Sequence, residues 1–125
     1  LIFEFCGGGS LFDVYCQSEA EFSNEQRLAA MVQVASALAH VHSLGIVHRD
    51  LKTDNVLLLK PIAPGEAPAT KLCDFGLGKR LGKSQRTFSP LLPQGYIPGH
   101  WHAPELEWNG AHNALVDVYA FGALV

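Results

Sequence analysis

Asp50, Lys52, Asn55 and Asp74 are the residues of this 125-residue sequence whose types and spacing suit chemistry. Asp50, Lys52 and Asn55 stand in one polar block, with His48, Arg49, Thr53 and Asp54, between the apolar pieces Ile46-Val47 and Val56-Leu57-Leu58-Leu59. Asp50 and Asn55 offer hard oxygen ligands and, in Asp50, a candidate base; Lys52 adds a fixed positive charge. Asp74 brings a second carboxylate in Cys73-Asp74-Phe75-Gly76, where the glycine lets the chain turn sharply. Oxygen ligands of this kind suit Mg2+, which takes one or two carboxylates plus substrate phosphates, and a lysine beside them suits a phosphoryl group.

The elements around these residues must hold them. Each apolar run flanking the polar block is strand-length and neither repeats at helical spacing, which predicts strand, loop, strand. A loop fixed at both ends by a scaffold is where binding and catalytic groups tend to sit; the plain alternative is a solvated turn. Lys71 to Cys73 is predicted as the strand that delivers Asp74. Upstream lies the clearest helix. Ser23 and Gln26 form a capping box, and Leu28, Met31, Val32, Ala35, Leu38, Ala39 and His42 recur at helical spacing up to Gly45, which assigns that stripe to the core. His40 and His42, near the helix C-terminus, read as packing or dipole-compensating residues rather than metal ligands.

"LIFEF" is a strand candidate broken by Gly7-Gly8-Gly9, and Ser10 to Cys16 a short helix. "KPIAPGEAPAT" is an irregular surface loop. Residues Gly82 to Gly99 are rich in Ser, Gly and Pro without periodicity, the mark of a long functional or disordered segment. "HAPELEWNG" reads as a short helix ended by Gly110, and "NALVDVYAFGALV" begins a further apolar helix.

The chain is 48% hydrophobic and 17% charged with net charge -3, enough for the core of one ordinary domain at most. That balance gives no electrostatic case for nucleic acid or an anionic membrane. The longest apolar stretches fall short of the roughly 20 residues of a membrane helix, and "LIFEFCGGGS" lacks the basic region of a signal peptide. Cys6, Cys16 and Cys73, odd in number and widely spaced, fit reduced intracellular thiols, which predicts a cytoplasmic setting. The sequence starts without Met in a strand-like run and stops inside an apolar pattern, which reads as a piece of a longer protein.

"HRDLKTDN", "DFG" and "APE", in that order, resemble the catalytic-loop, metal-binding and activation-segment motifs of eukaryotic protein kinases. The resemblance implies an α+β, protein-kinase-like fold, mostly the helical C-lobe with the hinge strand and with the N-lobe largely missing, so that residues 1–125 are a partial kinase domain. It implies a Ser/Thr protein kinase that uses ATP and Mg2+ on protein substrates, with no nucleic-acid partner and no membrane segment here. Lysine two residues after Asp50 is similar to the Ser/Thr branch, and "EFCGGGSL" to the tyrosine-kinase-like group within it.

By that resemblance Asp50 would accept or orient the substrate hydroxyl proton, Lys52 would offset charge on the phosphoryl group, and Asn55 and Asp74 would hold Mg2+. Phe3 would be the gatekeeper, the backbone of Glu4 and Cys6 would bond adenine, Ser10 would lie near the ribose, Leu57 would pack under the adenine ring, and Asp117 would hold the backbone of the catalytic loop. Arg49 would receive a phosphate placed between "DFG" and "APE", where Ser84, Thr87, Ser89 and Tyr96 are acceptors and Thr87 the first choice. The family's glycine-rich loop, β3 lysine and αC glutamate belong before Leu1, and its later helices after Val125. Within the chain one departure stands out: such kinases read Gly-Thr-x-x-(Trp/Tyr)-Met before "APE", whereas this sequence has "IPGHWH", with Pro98 where a Thr touching Asp50 and Lys52 is expected. Pro98 favours the alternative of a pseudokinase binding or scaffold module; intact Asp50, Asn55 and Asp74 favour the enzyme.

Overall fold

Ser23 and Gln26 begin the longest helix of the computed structural model, which describes residues 2–16, 22–82, 87, 99–107 and 111–125. The first helix, α1, is Leu11–Cys16, and this second one, α2, is Asn24–Ser43. Ser23 Oγ accepts the Gln26 N–H at 3.3 Å while Gln26 Oε1 accepts the Ser23 N–H at 3.1 Å, the reciprocal cap that the spacing predicts. At the other end the Gly45 N–H donates to the His42 carbonyl at 2.9 Å with Gly45 at φ +73°, a left-handed exit that glycine adopts without steric cost.

The buried face of α2 differs from the predicted stripe. Gln26, Ala30, Met31, Val34 and Leu38 are buried, whereas Leu28, Val32, Ala35 and Ala39 are exposed. The helix carries apolar residues on more than one side, so helical periodicity alone admits several stripes. Gln26 belongs to the inward side because its Nε2 donates to the Ala63 and Glu66 carbonyls, both at 2.8 Å.

The chain divides into two compact units, Leu1–Ala37 with Thr53–Cys73 and Leu38–Lys52 with Asp74–Val125. In the first unit β2 (Val56–Leu58) pairs antiparallel with β3 (Thr70–Leu72), with Leu57 opposite Lys71. Val56 and Leu58 point inward and Leu57 stands half-buried between them, the alternation of a strand. The glycine run lies along the other edge of β2: Gly7 and Gly8 N–H donate to the Leu59 and Leu58 carbonyls at 3.1 and 3.0 Å. A Cβ on Gly8 would collide with the Lys60 carbonyl, so this approach requires glycine. Residues 2–6 form no strand, contrary to expectation, and Ile2, Phe3 and Phe5 are exposed. An extended run becomes a strand only when a neighbour pairs with its backbone, and no described strand does so here. The 61–69 loop is irregular as predicted, yet α2 clamps it: besides the Gln26 bonds, Gln33 Nε2 donates to the Pro68 carbonyl at 2.6 Å and Gln33 Oε1 accepts the Thr70 N–H at 2.8 Å.

In the second unit β1 (Ile46–Val47) pairs antiparallel with β4 (Lys79–Arg80). The sequence does not betray β4, because a strand of two basic residues has no apolar alternation to read. Helices α3 (Pro104–Glu107) and α4 (Leu115–Leu124) follow. Val47, Ala103, Leu106 and Val116 form a buried cluster, with Leu81 and Ala114 packed against it. Gly110, expected to end α3, lies outside the described residues. Among those described, no helix is long and apolar enough to cross a membrane.

Candidate active site

Helix α4 brings a carboxylate, Asp117, into the interior of the second unit, where it is completely buried. Its Oδ2 accepts the His48 N–H and its Oδ1 the Arg49 N–H, both at 2.8 Å, and His42 Nε2 stands 2.7 Å from Oδ2. A buried carboxylate is tolerable only when its oxygens are bonded in this way. Asp117 thus holds the loop backbone, and His42 is a partner of that carboxylate.

The grip fixes an unusual backbone. Arg49 sits at φ +67°, a left-handed conformation that costs a non-glycine residue about 1–3 kcal/mol and persists only where the surroundings impose it. Arg49 Nε donates to the Leu77 carbonyl at 2.6 Å, and Nη1 lies 3.4 Å from His112 Nε2. The His48 ring packs on Phe75 with centroids 4.6 Å apart. Residues 48–52 and 74–77 are therefore drawn together within one unit. The Arg49 guanidinium is buried among these groups; of the expected phosphate acceptors Thr87 is exposed, while Ser84, Ser89, Tyr96 and also Pro98 lie outside the described residues.

Asp50 follows directly and is buried. Its Oδ2 lies 3.3 Å from Lys52 Nζ, and its Oδ1 lies 3.4 Å from Trp101 Nε1 and 3.5 Å from His102 Nε2. Lys52 Nζ also stands 5.5 Å from the centre of the Trp101 ring, within cation–π range. Trp101 and His102 were not singled out from the sequence: the reading of "IPGHWH" turned on Pro98, and of these two only His102, where the family pattern has Met, departs from it. Asp74 is exposed, at φ +58°, with Oδ1 accepting the Gly76 N–H at 3.1 Å.

The first unit collects the other expected residues. Asn55 closes a 3-10 turn, Thr53–Asn55, with its side chain buried and its carbonyl accepting the Cys73 N–H at 2.9 Å. Leu57 bridges to Ser10 across the strand edge. Ser10 Oγ donates to Asp13 Oδ2 at 2.7 Å and its N–H donates there at 2.8 Å, so the hydroxyl is engaged as the cap of α1. Those bonds, the backbone one foremost, hold the Asp13 carboxyl below its ordinary value. Glu4 pairs with Lys71 at 3.3 Å on the surface. The backbone groups of Glu4 and Cys6 bond no other described backbone group. Glu4, Cys6, Ser10, Asn55 and Leu57 thus belong to one unit, and Asp50, Lys52 and Asp74 to the other.

A protein kinase domain model matches residues 1–125, the whole chain. The chain belongs to the protein kinase family. This kinase chain is 32% identical over 98% of its length to the serine/threonine-protein kinase Nek9 of Mus musculus, of which it covers 12%. It is 35% identical over its full length to a cAMP-dependent protein kinase, catalytic subunit-like, of Caenorhabditis elegans, of which it covers 28%. It is also 38% identical over 80% of its length to the serine/threonine-protein kinase/endoribonuclease IRE1 of Oryza sativa subsp. japonica, of which it covers 11%. The kinase chain therefore spans under a third of each of these relatives. Its helices and small antiparallel sheets are those of a partial kinase-like fold.

Proposed function

We propose that the full-length protein transfers the γ-phosphate of ATP to Ser and Thr hydroxyls of protein substrates. The observation that carries this reading is Asp50, set in place by the Asp117-held backbone of Arg49 and paired at 3.3 Å with Lys52. In the transfer a bond forms between the substrate oxygen and the γ-phosphorus while the bond to the bridging β-oxygen breaks and ADP leaves. The hydroxyl proton goes to the Asp50 carboxylate, and Lys52 offsets charge on the moving phosphoryl group. Because the transition state is loose, such groups act chiefly by position and electrostatics.

Asn55, through its amide oxygen, and Asp74, through its carboxylate, each offer the kind of hard donor that Mg2+ takes beside phosphate oxygens and water. Such an ion would neutralise phosphate charge. The backbone of Glu4 and Cys6 and the side chain of Leu57 would receive adenine; Ser10, its hydroxyl engaged in the cap, would shape the ribose edge by position.

The test is phosphotransfer from labelled ATP by the full-length protein to matched peptides bearing Ser, Thr or Tyr. Label on Ser or Thr peptides, dependent on Mg2+, is expected. Nucleotide binding without transfer to any peptide would instead support a pseudokinase module.

A further inference from the structure

We propose that His102, acting as its Nε2–H tautomer together with the Trp101 indole, is a positioning residue that anchors Asp50 Oδ1 and leaves Oδ2, beside Lys52, as the oxygen presented to the substrate hydroxyl. The proposal rests on the reading of Asp50 as the proton acceptor. His102 is 3% exposed, and its Nδ1 lies 2.7 Å from the Gly99 backbone nitrogen. A backbone N–H only donates, so Nδ1 carries the lone pair and the ring proton sits on Nε2. The Gly99 carbonyl, 3.2 Å from the same Nδ1, cannot bond it in that tautomer, and the shorter distance decides.

The proton on Nε2 then faces Asp50 Oδ1 at 3.5 Å, and the indole N–H, which can only donate, faces the same oxygen at 3.4 Å. Two uncharged donors thus converge on Oδ1, whereas the cation of Lys52 stands on the Oδ2 side. The two carboxylate oxygens are made inequivalent. Donors that carry no charge and stand somewhat beyond the usual 2.7–3.2 Å orient the carboxylate from one side only.

Both donors come from one anchored turn. The His102 N–H closes it on the Gly99 carbonyl at 2.9 Å, and the next residue, Ala103, lies in the buried cluster with Val47. The position of the Asp50 carboxylate is therefore tied to the turn that leads into α3.

The experiment uses the full-length protein with His102→Met, which keeps bulk without a donor, and His102→Gln, which returns an N–H near the Nε2 position. His102→Met is expected to lower kcat by roughly tenfold, the worth of one such bond, with KM for ATP within about twofold, and His102→Gln to recover most of the loss. Nitrogen-15 spectra of the parent should show His102 as the neutral Nε2–H tautomer. Parental kcat in His102→Met, an equal loss in both variants, or an Nδ1–H tautomer overturns the proposal, and the spectrum decides even if His102→Met fails to fold. Asp50→Asn serves as the control: if it transfers phosphate at the parental rate, the reading of Asp50 fails, a result distinct from a failure confined to His102.

Discussion

Asp117 Oδ1 accepts the Arg49 N–H at 2.8 Å and in doing so holds a left-handed arginine immediately before the proposed catalytic aspartate. The side chain on α4 does for this loop what a glycine does elsewhere. Glycine would lower the cost of the conformation; the carboxylate instead imposes it, and the arginine side chain remains available to bond Leu77.

Asp117→Asn should loosen that arrangement. The carboxylate receives the His48 and Arg49 N–H groups and faces His42 Nε2, but an amide has one acceptor atom and would set its own N–H2 against a donor. The expected cost is about 1–3 kcal/mol, seen in the full-length protein as roughly 5- to 160-fold faster hydrogen exchange of the His48 and Arg49 amides. Unchanged protection would show that the backbone holds itself.

Gln26→Ala should free the 61–69 loop. Gln26 is buried and its two bonds end on loop carbonyls, so removal takes the side-chain donor from both and leaves the Ala63 carbonyl only the Glu66 N–H at 3.1 Å, at a cost of about 1–3 kcal/mol. Proteolysis should then cut between Ile62 and Ala67 in the variant well before it does so in the parent. Equal cutting times would place the hold elsewhere.

The α1 cap should depend on pH in acid only. Asp13 lies below its ordinary 3.8 because the Ser10 N–H and then the Ser10 hydroxyl bond the carboxylate. A carboxyl depressed in the folded state adds stability above its ordinary value and loses it as pH falls through the folded one. Protection of α1 amides should therefore be flat from about pH 5 to 8 and decline below about pH 4. Asp13→Asn should abolish the decline; a parent whose protection falls instead between pH 5 and 8 would assign the dependence to another group.

Much of this was legible before the structure, for identifiable reasons. The polar block at 48–55 and Asp74 stood out because their residue types are chemically unusual between apolar runs, and the Ser23–Gln26 cap because it is a local, reciprocal interaction. Asp117 was legible only through the family resemblance. Long-range partners were not. No local pattern says that Gln26 and Gln33 reach the 61–69 loop, that Lys79-Arg80 pairs with Ile46-Val47, or that Trp101 and His102 meet Asp50. The α2 stripe misled because Leu28 and Val32 satisfy the same period as the face that is buried.

The central claim, that Asp50 acts on the substrate hydroxyl while Asp74 serves the metal-bound nucleotide, is tested most directly by measuring turnover and nucleotide affinity together in full-length Asp50→Asn and Asp74→Asn. Asp50→Asn should lose roughly 10²- to 10⁴-fold in turnover with Mg2+-dependent ATP affinity nearly unchanged, since a proton acceptor works in the transition state. Asp74→Asn should lose the Mg2+-dependent part of ATP affinity as well as turnover. Equal loss of nucleotide affinity in both variants, or parental turnover in Asp50→Asn, would contradict the assignment.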